Sequence, residues 1–179
     1  MTSGHVLYTI DYVKLILDSD CLIKIAKSGV KEALCRHFVV EIPPTVKEEV
    51  VDLGKRKGLA DADLVEKNLA ERLIRLSPGQ PLSSDGEDDV LNRFQKGGFD
   101  AIGTDDRRFI RRLRRLDLPY VTPGTLLFLL MRDGGIDQGE AENLLRKLSS
   151  YISLDEYETT ASLLKGTIRY RPSPRKEKR

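Results

Sequence analysis

Acidic residues follow each of the first four apolar segments that read as strands. They occur as Asp18-Ser19-Asp20, Glu48-Glu49, Glu87-Asp88-Asp89 and Thr104-Asp105-Asp106. Ligands of open α/β sheets bind at the carboxyl ends of the strands, so we expect these acids to meet there. Clustered carboxylates repel one another, and a folded protein seldom holds four together without a cation. Mg²⁺ and Mn²⁺ favour carboxylate and water ligands, and either ion could activate a water for attack on a phosphoryl group.

Helical geometry separates the two neighbouring acids Glu48 and Glu49, because a helix turns about 100° per residue. Val46, Val50 and Leu53 define the buried stripe of this helix. Glu49 lies beside that stripe, whereas Glu48 points away and fits a capping box that begins at residue 45. We therefore expect Glu49 to reach the site and Glu48 to remain outside it.

The third acid is harder to assign from the sequence. Glu87 lies one turn before the apolar stripe that begins at Val90, which favours a role in the site. However, the segment from Ser84 to Glu87 also fits a capping box, which would give Glu87 a local structural role. We favour a role for Glu87 in the site, because the other three strand ends also carry acids. Asp88 remains the alternative third acid.

The apolar pattern indicates strands that alternate with helices. We expect strands at 13–17, 38–42, 73–76, 101–103 and 120–122, and helices at 21–27, 30–37, 44–57, 61–72, 87–96, 107–116, 123–132, 137–148 and 154–164. Asp61 is expected to cap one of these helices. The alternation predicts an α/β fold with a parallel sheet.

Composition limits the class of protein. The chain has 179 residues, enough for one well-buried core, and its formal net charge is only +2. Two cysteines argue against a disulfide framework, and the longest apolar run, 126–131, is too short to span a bilayer. The start of the chain lacks a signal-peptide pattern, so we expect a cytoplasmic protein.

Four segments resemble, in order, the motifs of the PIN domain family. They read ILDSDCLIKIAKSG, VVEIPPTVKEEV, DGEDDVL and AIGTDDRRF, and the resemblance extends from Lys14 to Leu148. It implies a three-layer α/β/α fold with a central parallel sheet of four to five strands. It also implies a metal-dependent ribonuclease that uses Mg²⁺ or Mn²⁺, with RNA as substrate, a homodimeric state and, as in many family members, an antitoxin protein as partner.

The resemblance assigns roles to particular residues by their position in the motifs. The third position is often Asp in the family and is Glu here. The expected catalytic and metal-binding residues are Asp18, Glu49, Glu87 and Asp106. The expected supporting residues are Ser19, Asp20, Thr104 and Asp105.

An arginine-rich helix follows Asp106 and could contact phosphates beside the metal. The candidate RNA-binding residues are Arg107, Arg108, Arg111, Arg112 and Arg115. The alternative is a solvated helix face whose apolar residues Phe109, Ile110 and Leu113 point inward.

We expect a nuclease domain at 1–150, a helical extension at 151–168 and a basic, disordered tail at 169–179. Two other functions remain open. A haloacid-dehalogenase-like phosphatase would use Asp18 as a covalent nucleophile and Asp20 as the general acid, but would have no use for Glu49 or Glu87. A non-catalytic RNA- or protein-binding module would have no need of the acid set.

Overall fold

A five-stranded, all-parallel sheet forms the centre of the protein. In the computed structural model, which describes residues 13–166 and 168–169, the strand order is β3-β2-β1-β4-β5. The strands are β1 (Lys14–Leu17), β2 (Val39–Ile42), β3 (Arg75–Leu76), β4 (Ala101–Gly103) and β5 (Tyr120–Val121). The sheet confirms the α/β class and the parallel arrangement expected from the sequence.

Helices flank the sheet, as in a three-layer α/β/α fold. The right-handed crossover rule places the helices that connect β1, β2 and β3 on the opposite face from those that connect β3, β4 and β5. The helices are α1 (Ser19–Ser28), α2 (Lys31–His37), α3 (Pro44–Lys47), α4 (Leu53–Arg56), α5 (Ala60–Ala70), α6 (Gly86–Lys96), α7 (Arg107–Arg115), α8 (Pro123–Arg132), α9 (Gln138–Leu148) and α10 (Leu154–Leu164).

Strand β1 is central because it is apolar on both faces, as buried parallel strands are. Leu15, Ile16 and Leu17 are almost fully buried. Successive strands are added on one side of β1 up to β3 and then on its other side from β4, which makes the carboxyl ends of β1 and β4 the topological switch point of the sheet. The two strands approach closely, since a Cβ at Gly103 would lie 2.2 Å from Cδ2 of Leu17.

The helix after β2 contains a π-helical turn, Glu48–Asp52, between α3 and α4. The wider turn shifts the helix register, so that Val50 and Val51 are both buried. The predicted stripe of Val46, Val50 and Leu53 is therefore wrong at its last member, because Leu53 is 37% exposed.

Two capping predictions were also wrong, and the capping box considered as the alternative for Glu87 is absent. Thr45 is buried inside α3 and its hydroxyl donates to Asp89, so it cannot cap that helix. Helix α5 begins at Ala60, and Asp61 lies in its first turn, where it pairs with Lys27 at 2.8 Å. In α6 the cap is Asp85 rather than Ser84, so the capping box that competed for Glu87 does not form.

A buried ion pair joins α6 to α3 and to the loop after β3. Asp89 accepts hydrogen bonds from Nε of Arg93 at 2.8 Å and from the hydroxyl of Thr45 at 2.8 Å. The guanidinium of Arg93 also donates to the carbonyls of Pro78 at 2.9 Å and Gln80 at 2.7 Å. Every strong polar atom of the pair therefore has a partner, which is the condition for keeping charge in a core.

The C-terminal helices pack as part of the same core. Helix α10 contacts α8 and α9, and its residue Leu164 belongs to the main hydrophobic cluster. Of the predicted tail at 169–179, only Arg169 lies among the described residues. Within the described ranges, no helix has the length and apolar composition needed to cross a bilayer.

Replacing Arg93 by Met should destabilise the protein by about 3–5 kcal/mol, because it leaves the Asp89 carboxylate buried without its cation. The side chains of the pair are only 8% and 0% exposed. Urea denaturation measures the free energy of unfolding. The control is Arg112→Met, which breaks a pair with Asp88 that is 41% exposed on both sides and should cost less than about 1 kcal/mol. Equal losses in the two variants would contradict the structural role of the buried pair.

Candidate metal centre

An acidic cavity opens at the carboxyl ends of β1 and β4. Its volume is about 240 Å³, and all four of the expected metal-binding residues line it. The only other lining residues are two expected supporting residues and the first turn of α6 with its cap. The full lining is Asp18, Ser19, Asp20, Glu49, Asp85, Gly86, Glu87 and Asp106.

Asp18 is the deepest of these acids, with only 5% of the residue exposed. It directly follows β1 and caps α1, since its Oδ1 accepts from the backbone N–H of Cys21 at 2.8 Å. Burial raises the pKa of Asp18 to about 7, against the lowering effect of hydrogen bonds from the Thr104 hydroxyl and from Cys21. The carboxylate therefore keeps a high affinity for either a proton or a cation.

Thr104 joins the two strand ends through its buried hydroxyl group. The hydroxyl bonds to the carboxylate of Asp18, and its oxygen accepts from the backbone N–H of Asp106 at 3.1 Å. Asp106 in turn caps α7, since its Oδ1 accepts from the N–H groups of Arg108 at 2.7 Å and Phe109 at 2.8 Å. One oxygen of Asp106 is therefore committed to the cap, and the other is available to the cavity.

Glu49 belongs to the π-helical turn and lines the cavity. The hydroxyl of Ser19 donates to its Oε2. The carboxylate lies against the first residue of α6, because a Cβ at Gly86 would come within 2.7 Å of Oε1. Glu48 is exposed and is not part of the cavity wall, which is the arrangement expected from the sequence.

The three consecutive acids of α6 have different environments. Glu87 lines the cavity, and its pKa is raised by partial burial and then by the charges of Asp106 and Asp85. Asp88 instead pairs with Arg112 at 2.5 Å, and Asp89 belongs to the buried ion pair with Arg93. Glu87 is therefore better placed than Asp88 to serve as the third acid.

Asp105 does not line the cavity, unlike its neighbour Asp106. Its Oδ2 is paired with the ammonium group of Lys24, while its Oδ1 is buried without a hydrogen-bond partner. Glu156 of α10 lies nearby and accepts from the backbone N–H of Gly124 at 2.8 Å. Burial raises the pKa of Glu156, the bonds from Gly124 and Thr122 lower it, and the charge of Asp105 raises it further.

The donor set fits a hard divalent cation, because carboxylate oxygens from four chain segments share one cavity. The glycine at position 86 leaves room for the Glu49 carboxylate, which a Cβ there would displace. In the described part of the chain, no three Asp, Glu, His or Cys side chains are drawn together tightly enough to hold a metal as they stand. Repulsion spreads such groups, and Mg²⁺ commonly binds through one or two carboxylates together with several waters.

Sequence reasoning missed four residues of this region. Asp85 and Gly86 line the cavity because the helix begins one residue earlier than expected. Lys24 carried a usable signal, since it lies one helical turn after Asp20. Glu156 carried none, because only the tertiary packing of α10 brings it to this end of the sheet.

The candidate RNA-binding arginines lie on α7, directly beyond Asp106. Arg108, Arg111, Arg112 and Arg115 are spaced as one helical face, while Phe109 and Leu113 are buried on the other. Arg107 lies off that face and makes an exposed ion pair with Asp155 at 3.6 Å.

No protein-family model matches this sequence, and the search of curated proteins found no match either.

In the metal-free protein, the contribution of Asp18 to the free energy of unfolding should fall as the pH rises from about 4 to about 7. Its pKa rises from 3.8 to about 7 on folding, so in this range the folded state holds a proton that the unfolded state has lost. Asp18→Asn removes this titration. Between pH 5 and pH 8 in EDTA, the wild type should lose more unfolding free energy than the variant, by at most about 3 kcal/mol. A larger loss in Asp18→Asn would contradict the buried, protonatable carboxyl.

Replacing Gly86 by Ala should lower the affinity for Mn²⁺ by at least about tenfold, or about 1.4 kcal/mol, while the fold remains intact. The new Cβ would displace the Glu49 carboxylate, which lies within 2.8 Å of it, whereas Ala itself favours the helix. Calorimetric titration measures the affinity. The control is Gly139→Ala in the first turn of α9, where the added Cβ meets only Asp137 at 3.3 Å. Unchanged affinity in Gly86→Ala would remove Glu49 from the set of ligands.

Proposed function

We propose that the protein is a metal-dependent ribonuclease that hydrolyses phosphodiester bonds with Mg²⁺ or Mn²⁺. The observation that supports this most directly is the acidic cavity, in which Asp18, Glu49, Glu87 and Asp106 converge from separate segments. A protein gains no stability from carboxylates that repel one another. A bound cation would make the arrangement favourable.

The four cavity acids would hold the ion, and the surrounding residues orient them. Ser19 holds the Glu49 carboxylate, and Thr104 fixes the Asp18 side chain relative to the start of α7. When bound, the metal would polarise a phosphoryl oxygen and lower the pKa of an attacking water. Asp20 lies exposed at the rim, where it can accept a hydrogen bond from water or substrate.

The arginine face of α7 supports a nucleic-acid substrate. It begins two residues after Asp106, so a strand whose phosphate lies at the cavity could continue along it. Arg112 lies close to the acids, since it pairs with Asp88 and its charge lowers the pKa of Glu87. Guanidinium groups bind phosphate oxygens in a bidentate manner, so Arg108, Arg111 and Arg115 suit an RNA backbone.

The phosphatase alternative explains less of the cavity. It would use Asp18 and Asp20 and leave Glu49 and Glu87 without a role, although both line the same cavity. The antitoxin partner and the homodimer rest on the family resemblance and stay predictions.

The matched pair Glu49→Gln and Glu48→Gln tests the proposal. With labelled single-stranded RNA and Mn²⁺, Glu49→Gln should reduce the cleavage rate by more than about 100-fold, because it removes a cavity carboxylate. Glu48→Gln should cleave at the wild-type rate, since its exposed side chain does not line the cavity. The fold of both variants is checked by thermal melting.

Cleavage that survives EDTA, or an equal loss in both variants, would overturn the proposed function. A phosphorylated Asp18, detected by mass spectrometry after incubation with a phosphate monoester, would support the phosphatase instead. RNA binding without cleavage at any concentration of Mn²⁺ would indicate a non-catalytic module.

A further inference from the structure

Lys24 holds one member of the Asp105–Asp106 pair away from the cavity. Its ammonium group pairs with Oδ2 of Asp105, and the two side chains are 23% and 8% exposed. Asp106 lines the cavity, whereas Asp105 does not. Two adjacent acids at the end of β4 are thus separated, one toward the cavity and one toward a lysine.

Two further carboxylates act on this ammonium group. Asp20, one turn earlier on α1, raises the pKa of Lys24, as does Asp105, although burial lowers it. Glu156 approaches from α10 and interacts with the charges of both Asp105 and Lys24. A single ammonium group therefore has negative charge around it from three elements.

The unpaired oxygen of Asp105 indicates what would happen without the lysine. Oδ1 is buried and has no hydrogen-bond partner among the described residues, so it keeps its capacity to bind a cation. Asp105 is also close enough to Asp18 for its charge to raise the pKa of that group. Removing the ammonium group would leave both oxygens of a buried carboxylate unpaired beside a second carboxylate, which favours capture of a metal ion.

We propose that Lys24 is a positioning residue that restricts this site to a single divalent ion. Its ammonium group occupies the cation position beside Asp105 and leaves the cavity carboxylates to hold the one exchangeable ion. The inference rests on the proposed metal site and adds its stoichiometry. Because the lysine is covalently part of α1, this second positive charge cannot be lost by dilution or chelation.

Calorimetric titration with Mn²⁺ tests the inference through stoichiometry rather than activity. The wild type should bind one ion, and Lys24→Met should bind two, because Asp105 is then free to coordinate. The double variant Lys24→Met, Asp105→Asn should return to one. The control is Lys27→Met on the same helix, which breaks a pair with Asp61 at 2.8 Å and should leave the stoichiometry at one.

Thermal melting provides a second measurement. If Lys24 had only a structural role, its replacement would lower the melting temperature without changing the effect of Mn²⁺. Without metal, Lys24→Met should melt at a lower temperature than the wild type, and Mn²⁺ should raise its melting temperature by more than it raises that of the wild type. Binding to the folded state raises the melting temperature by an amount that Kd sets, so a rise larger than the measured Kd of one ion accounts for reports the additional ion.

Asp105→Asn provides a test of the stoichiometry that does not require Lys24→Met to fold. This variant should still bind one ion, because the cavity carboxylates that would hold it are unchanged. A stoichiometry of two in the wild type that falls to one in Asp105→Asn would overturn the inference, and so would a stoichiometry of one in a folded Lys24→Met. No binding to the wild type would overturn the proposed metal site as well, so the two failures are distinguishable.

Discussion

The buried pair of Asp89 and Arg93 sets the geometry on which the acidic cavity depends. It is the contact that fixes α6 to Thr45 on α3 and to the loop carbonyls of Pro78 and Gln80. The first turn of α6 brings Gly86 and Glu87 to the cavity, and α3 leads into the turn that carries Glu49. Two walls of the cavity thus share one anchor, placed one turn away from the residues that would do chemistry.

The anchor matters because the cavity itself opposes folding. Burial and neighbouring carboxylates raise the pKa values of Asp18 and Glu87, which means that their ionised forms are disfavoured in the folded protein. Helix N-termini offset part of this cost, since Asp18 caps α1 and Asp106 caps α7. The hydrophobic core below the cavity and the ion pair of Asp89 offset the remaining cost of this repulsion. The residues that stabilise the walls of the cavity are therefore different from the acids that line it.

The sequence was informative wherever a local pattern decides the outcome. Apolar runs located β1 and β4, so Asp18 and Asp106 could be expected at one edge of the sheet before the topology was known. Helix periodicity also separated Glu49 from Glu48, because that choice depends on Val46 and Val50 just beside them. The prediction failed at Leu53, where the π-helical turn changes the register and no sequence signal announces it.

Tertiary contacts explain the remaining differences. Thr45 and Asp61 are good helix caps by residue type, but one is buried against Asp89 and the other is drawn to Lys27. The split between Asp105 and Asp106 depends on a lysine 81 residues away along the chain, and Glu156 arrives from a helix that the motifs do not cover. Such long-range electrostatic pairs follow from the fold, and a single sequence does not reveal them.

The placement of β1 between β2 and β4 also determines the order in which the molecule can be completed. The backbone N–H of Lys14 bonds to the side chain of Asp100, 86 residues later, so the pairing that joins the two halves of the sheet closes a very long loop. Contacts of such separation form late in folding, and domains fold from the N-terminus as they are synthesised. A nascent chain can already contain Asp18 and Glu49 while it still lacks β4, the strand that brings Thr104 and Asp106 beside them. Under the proposed function, an incomplete product of translation would lack two of the residues at this cavity and could not cleave RNA until its second half had folded.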